Sequence, residues 1–302
     1  MRKVTKAIIP VAGLGTRVLP ASKAIPKEML PVGDKPVIQR VVEEAVAAGI
    51  TKIILVTRSG KEAIENHFDA HYELEAQLEI KGKIAELASV RNIQPPDVEI
   101  ISVRQPSAQG LGHAVLCAAG IIGDEPFAVM LPDVLINNRT ADSGHVDMAG
   151  MMAAFSRNEH PQIMVEPVPH EHAERYGIVD CAGAVLQGGD AHPIQGMVEK
   201  PAPGTAPSNL AIVGRYILPA RIMQLLKTTP RGAGGEVQLT DAMAALLKET
   251  PMEAYHMEGK SYDCGNKLGY LQANMVFGLQ SPHTGPALRE FLKQQLDELD
   301  QA

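Results

Sequence analysis

Across residues 1–135, short apolar runs alternate with amphipathic helical patterns, and this alternation constrains the fold more than any other feature of the chain. Ala7–Ala12 reads as a first strand. Lys35-Pro36 opens a helix carrying Val37, Val41, Val42, Ala45 and Val46 on one face, and Gly49 fits the residue that stops it. Lys52–Thr57 is again strand-like, Gly60–Phe68 helical, Val98–Val103 and Phe127–Leu131 strand-like, with a helical Ala114–Ile122 between the last two. Near-continuous apolar strands separated by helices predict an α/β fold with a mixed, mainly parallel central sheet flanked by helices. In such open sheets, ligands collect outside the carboxyl ends of the strands.

His71–Asn92 reads as one long helical excursion. Residues 160–217 change character: prolines and glycines are frequent and the apolar runs are short (Ile163–Val165, Ala184–Leu186, Ala211–Leu218), which predicts a smaller strand-rich subdomain. Helical pattern returns at Arg221–Lys227, Leu239–Lys248 and Lys267–Leu279, around a strand-like Met252–Met257. The tail Ala287–Leu299 is amphipathic, with Leu288, Phe291, Leu292, Leu296 and Leu299 on one side. It fits either a contact between copies in a homo-oligomer, a dimer or tetramer, or packing back on its own body. The expected organisation is a single unit over 1–302. Within it, 1–135, 136–265 and the C-terminal helices 266–302 are the expected parts.

A net charge of −7 argues against a nucleic-acid partner. No stretch approaches the roughly 18 apolar residues of a membrane span, and the N-terminus has no long apolar core of a signal peptide. The three cysteines are too scattered for a disulfide framework or a zinc site, and they fit a reducing, cytoplasmic setting. Asn138-Arg139-Thr140 matches the glycosylation sequon and, in that setting, reads as chance.

The first strand runs into VAGLGTRVLPASKAIPKEMLP, residues 11–31. A dinucleotide fingerprint fails there, because Val18 stands where GxGxxG needs its third glycine and no acidic residue closes a strand about 20 residues on. A Walker A loop is absent as well. Instead Arg17, Lys23 and Lys27 add cations to a loop whose glycines let backbone N–H groups approach an anion. Arginine forks onto phosphate oxygens while lysine acts as a movable point charge. A solvated basic turn would have the same composition.

The stretch GLGTRVLPASKAIPKEMLPVGDKP resembles the signature of the nucleoside-diphosphosugar pyrophosphorylases, and PKEMLP resembles their bacterial members that uridylylate glucose 1-phosphate. Similar blocks follow in family order: QPSAQGLGHAV (105–115), LPDV (131–134), ERYGIV (174–179), VEKP (198–201), LAIVGRY (210–216), GGEVQLTDAM (234–243) and YDCGNKLGY (262–270). Val18 and Ser22 depart from the usual pattern without disturbing a charged position.

The resemblance implies a Rossmann-like nucleotide-diphospho-sugar transferase fold, with 1–135 as the nucleotide-binding half and 136–265 as the sugar-binding and metal half. The implied reaction turns UTP and glucose 1-phosphate into UDP-glucose and pyrophosphate, with Mg²⁺ as cofactor. It assigns Arg17, Lys27, Asp133 and Lys200 to catalysis. Ala12, Gly13, Gly15, Thr16, Glu28, Gln105 and Gly110 would bind the nucleotide, Gly177, Glu199, Lys200 and Ile212 the sugar phosphate, and Asp133 with Asp263 the metal. Glu28 would either orient Lys27 or bond the nucleotide. Taken singly, Gln105 is equally a turn residue, Asp133 a cap, Glu199-Lys200 an exposed pair and Ile212 core. His113, Asp241 and Cys264 read as capping or packing residues. Uracil and thymine share the edge that Gln105 would read, so a thymidylyltransferase, or transfer to another sugar 1-phosphate, stays as the alternative. A non-catalytic sugar-nucleotide sensor would be expected to lack the cations that are present here.

Overall fold

The computed structural model describes residues 2–138 and 146–300. Fourteen strands are found among them: β1 (Lys6–Pro10), β2 (Pro31–Val32), β3 (Lys35–Pro36), β4 (Lys52–Thr57), β5 (Glu99–Arg104), β6 (Phe127–Met130), β7 (Val134–Asn137), β8 (Gln162–Pro167), β9 (Gly177–Asp180), β10 (Ala191–Pro193), β11 (Gly196–Glu199), β12 (Leu210–Leu218), β13 (Glu253–His256) and β14 (Lys260–Asp263). The main sheet runs β10-β13-β8-β12-β6-β1-β4-β5, with β9 and β11 extending it beside β12. Its first half, β6-β1-β4-β5, is parallel throughout, as the alternation predicts. β12 enters antiparallel between β6 and β8, and β13 pairs parallel to β8.

Alternate residues of the parallel strands feed two cores. Ala7, Ile9, Ile53, Leu55, Ala128 and Met130 pack on one face beneath helices Val37–Ala47, Val146–Asn158 and Lys267–Gln280. Ile8, Ile54, Val56, Phe127 and Val129 pack on the other beneath Leu111–Cys117, Arg221–Thr228 and Leu239–Leu247. Burial on both faces explains why these strands lack polar alternation.

Two expectations change. The excursion at 71–92 is two helices, Tyr72–Ile80 and Ile84–Arg91, because Gly82 takes a left-handed φ of 64° between Lys81 and Lys83. Ala184–Leu186 forms no strand: it lies between the turns at Cys181–Ala184 and Gln187–Asp190, and the pairing passes to β10 instead. The tail helix Gly285–Asp300 reaches the preceding helix near Gly278 through Leu288, while Phe291, Leu296 and Leu299 stay exposed. Arg139 and Thr140 of the sequon lie outside the described residues. Asn138 itself is buried and donates to Asp147 Oδ2 at 2.8 Å. No helix among the described residues is long and apolar enough to cross a membrane.

β12 carries an irregularity that matters for the site. Its register against β8 shifts between Ile212 and Tyr216, and Gly214 within the shift has φ 91°. A Cβ there would sit 2.6 Å from Leu131 Cδ1, just past the end of β6. Gly214→Ala is therefore expected to cost about 2 kcal/mol, from backbone strain and the displaced leucine together. Urea unfolding of the two proteins measures it, and an unchanged midpoint would contradict this reading of the bulge.

Candidate active site

The loop after β1 floors a cleft of about 410 Å³ at the carboxyl ends of β1 and β6. Ala12, Gly13, Gly15 and Thr16 line it together with Lys27, Glu28, Gln105, Gly110 and Asp133. Nine of the residues expected to meet a nucleotide or its metal thus share one cavity. Gly15 takes φ 70°, and a Cβ on it would lie 3.2 Å from the Cβ atoms of Lys27 and Ser22, so the loop folds tightly under the lysine. Ser22 Oγ donates to the Gly15 carbonyl at 2.7 Å.

Four charges converge beside this floor. Lys27 Nζ donates to Asp133 Oδ2 at 2.5 Å. Arg17 Nη1 donates to Asp263 Oδ2 at 3.2 Å, and its Nη2 lies 3.7 Å from Asp133 Oδ2. Parallel pairing of β1 with β6 brings the first loop to Asp133, and the β7–β14 pair returns Asp263 beside it. Gly265 is the hub of this approach. A Cβ on it would collide with Asp133 Oδ2 and lie 2.7 Å from Arg17 Nη2 and 2.8 Å from Asp263 Oδ1. Both carboxylates offer hard oxygen donors, the chemistry that a small divalent cation takes with phosphate oxygens and waters.

On the side of Gln105 the cleft is pre-oriented. Gln105 Nε2 lies 3.0 Å from His113 Nδ1 and donates to the Gly110 carbonyl at 3.3 Å, and the Oε1 of the same amide is an acceptor. Gly110, at φ 99°, has no room for a Cβ, which would lie 2.7 Å from Glu236 Cβ. Glu28 is completely buried: Lys61 Nζ donates to its Oε2 at 2.7 Å, while Oε1 has no partner. Burial pushes the Glu28 carboxyl up against the opposing pull of Lys61 and Lys27. A buried lone acceptor in a cleft is satisfied when a ligand brings a donor.

A second cluster gathers on β9, β11 and β12. A Cβ on Gly177 would lie 2.8 Å from Ile212 Cδ1 and 3.1 Å from Glu199 Oε2. Thr240 Oγ1 donates to that same Oε2 at 2.8 Å, and Lys200 Nζ lies 3.3 Å from Glu199 Oε1. Lys200 adopts φ 47°, an unusual conformation for a residue with a side chain, with its N–H held by the Tyr176 carbonyl at 2.9 Å. Burial raises the Tyr176 phenol, helped by the charges of Asp263 and Glu166.

The family model for nucleotidyl transferases matches residues 6–278. The chain belongs to the nucleotidyl transferase family. It is 55% identical to a UTP–glucose-1-phosphate uridylyltransferase of Escherichia coli (strain K12) over 294 residues, covering 97% of each chain. It is 52% identical to the protein of that name from Haemophilus influenzae, covering 95% of this chain and 98% of the other. Among solved structures it resembles a UTP-bound UGPase from Acinetobacter baumannii at 51% identity, with a TM-score of 0.90 over 96% of this chain and 98% of that one.

Several contacts of this nucleotidyl transferase were not legible as functional in the sequence. Thr240 opens the helix Leu239–Leu247, which has no side-chain cap, and its hydroxyl bonds Glu199. Asp241 sits in that helix's first turn, its carboxyl raised by burial and then by the Glu199 charge. His113 orients Gln105. Gly265 could have been found from its place in the YDCGN block, whereas Lys61 follows β4 in a stretch with no motif. Cys264 is packed beneath both carboxylates. Burial, then Asp133 and Asp263, push its thiol up to about 12, which leaves no nucleophilic thiolate at neutral pH.

Proposed function

We propose that this nucleotidyl transferase catalyses Mg²⁺-dependent uridylyl transfer from UTP to glucose 1-phosphate, giving UDP-glucose and pyrophosphate. The observation that carries the proposal is the convergence of Lys27 and Arg17 on Asp133 and Asp263 beside a glycine-floored cleft. The names of its relatives, uridylyltransferases and a UTP-bound UGPase, point to the same substrates. So does a UDP-glucose pyrophosphorylase structure complexed with UDP-glucose, which is 39% identical, with a TM-score of 0.80 over 91% of this chain and 98% of that one.

A sugar phosphate is already anionic at neutral pH, so its oxygen attacks the α-phosphorus without a general base. The new O–P bond forms as the bond to the bridging oxygen of pyrophosphate breaks, and no enzyme nucleophile takes part. What remains is to bring two anions together and stabilise the departing charge, a task of positioning and electrostatics. Backbone groups of Ala12, Gly13, Gly15 and Thr16 approach the nucleotide. Arg17 and Lys27, paired with carboxylates in the free protein, turn their donors to the phosphates that leave. Gln105 Oε1 accepts the uracil N3–H, and the lone Glu28 Oε1 accepts a second nucleotide donor. Gly177 and Glu199 hold sugar hydroxyls against Ile212, and Lys200 grips the sugar phosphate. Asp133 and Asp263 would hold Mg²⁺, which when bound supplies positive charge to the phosphate oxygens.

Three free cysteines agree with a cytoplasmic setting, where the substrate pools lie. The exposed Phe291, Leu296 and Leu299 offer a surface for a homo-oligomer, a dimer or tetramer.

A pyrophosphate-release screen over nucleoside triphosphates and sugar 1-phosphates tests the assignment. UTP with glucose 1-phosphate is expected to give the highest kcat/KM; a strong preference for dTTP would overturn it in favour of thymidylyl transfer. Lys200→Ala is expected to raise the KM for glucose 1-phosphate by about tenfold or more, the loss of a charge-assisted contact, with little change for UTP. Steady-state kinetics checks this, and an unchanged glucose 1-phosphate KM would remove Lys200 from the sugar side.

A further inference from the structure

Arg215 heads the fully buried side chains by size among the described residues, with no exposed surface at all. A guanidinium loses its hydration on burial, and a buried ion pair is seldom a better source of stability than an apolar pair of the same volume. Its presence calls for an account in terms of position.

The bonds supply one. Arg215 Nε and Nη2 fork onto the two oxygens of Glu44, at 2.9 and 2.7 Å, from the helix Val37–Ala47. This pairing neutralises the charge and fixes the plane of the guanidinium. Two further bonds go to backbone: Nη1 to the Leu131 carbonyl at 3.0 Å, and Nη2 also to the Val134 carbonyl at 2.7 Å. Those carbonyls bracket Pro132 and Asp133 in the short link between β6 and β7. The same link is held by two further bonds, Leu131 N–H to the Gly214 carbonyl at 2.9 Å and Cys264 N–H to the Asp133 carbonyl at 2.7 Å. The β12 irregularity places Gly214 and Arg215 together against the turn. The backbone of Asp133 is thus tied from several sides, and only its carboxylate faces Lys27 and Arg17. An aliphatic side chain could fill the volume of Arg215 but could not bond either carbonyl.

We propose that Arg215, oriented by Glu44, is a positioning residue for Asp133, fixing where the metal-binding carboxylate stands by holding both ends of its turn. The inference rests on the reading of Asp133 as a metal ligand. The reacting groups need no contact with Arg215: its effect passes through the Asp133 backbone, as partners of metal ligands act.

The experiment compares Arg215→Lys, the paired Arg215→Met/Glu44→Met variant and Asp133→Asn with the parent enzyme. Circular dichroism and melting confirm folding, and Mn²⁺ binding in the presence of UTP is read by electron paramagnetic resonance. The paired variant leaves no lone buried charge. It is expected to stay folded, to bind Mn²⁺ about 10- to 100-fold more weakly and to lose kcat in similar measure, the range seen when support for a metal ligand is removed. Its KM for glucose 1-phosphate is expected to stay within about threefold. Arg215→Lys keeps a charge for Glu44 but cannot reach both carbonyls, and should fall between the two. A folded paired variant with parental Mn²⁺ affinity and kcat overturns the proposal. So does a loss spread evenly over melting, every KM and kcat that Arg215→Lys does not relieve, since that marks a role in stability alone. Should the paired variant fail to fold, Arg215→Lys decides alone: weakened Mn²⁺ binding supports the proposal and parental binding overturns it. Unchanged Mn²⁺ binding by Asp133→Asn would instead refute the metal reading of Asp133.

Discussion

The ion pair between Lys27 and Asp133 is the contact on which the site depends. It joins a loop at the start of the chain to a turn more than a hundred residues later, in the partly buried mouth of the cleft. Arg17 extends it to Asp263, and the four charges balance one another. None of these groups could gather there alone, because like charges brought together out of water repel and desolvate at a cost. In the free protein each cation answers a carboxylate. A polyphosphate with a divalent ion carries the same two kinds of charge, so it can exchange partners with the network without leaving either set uncompensated. The architecture makes the meeting possible: parallel β1 and β6 end side by side, and β14 returns along β7 to deliver Asp263.

The second cluster uses a different device. Glu199 has one oxygen held by Thr240 and the other near Lys200, while Gly177 leaves bare backbone facing Ile212. The left-handed Lys200 and the irregular β12 are places where regular structure yields to the site. A carboxylate held near both oxygens keeps its acceptors fixed in direction, as the sugar side of the proposed reaction requires.

Much of the fold was legible because local pattern and global arrangement agree. The β1, β4 and β6 runs are apolar on both faces and are buried on both faces. Gly49 ends its helix at φ 94° as its place in the sequence predicts. The break at Gly82 was not read, since a single glycine inside a helical pattern is tolerated, at a cost of about 1 kcal/mol relative to alanine. Ala184–Leu186 failed for another reason: Ala184 and Leu186 pack against the core between turns while Val185 is exposed, and the segment pairs with no strand. In the cleft, the glycines, Arg17, Lys27 and Asp133 stood out through ordered motifs. Lys61, His113, Thr240 and Arg215 act through contacts that only the tertiary structure creates, with Arg215 reaching Glu44 across 171 positions. Nothing local in GRY or in EEA marks those two residues as a pair.

The central claim is that two anions are joined by positioning and charge alone, with no covalent intermediate on the protein. Buried Cys264, its thiol pushed up to about 12, fits that claim. The stereochemical course at phosphorus tests it most directly. With UTP made chiral at the α-phosphorus by sulfur substitution and glucose 1-phosphate as acceptor, a single in-line displacement gives a UDP-glucose analogue with inverted configuration. Retention would require two displacements through an enzyme-bound nucleotide and would contradict the account.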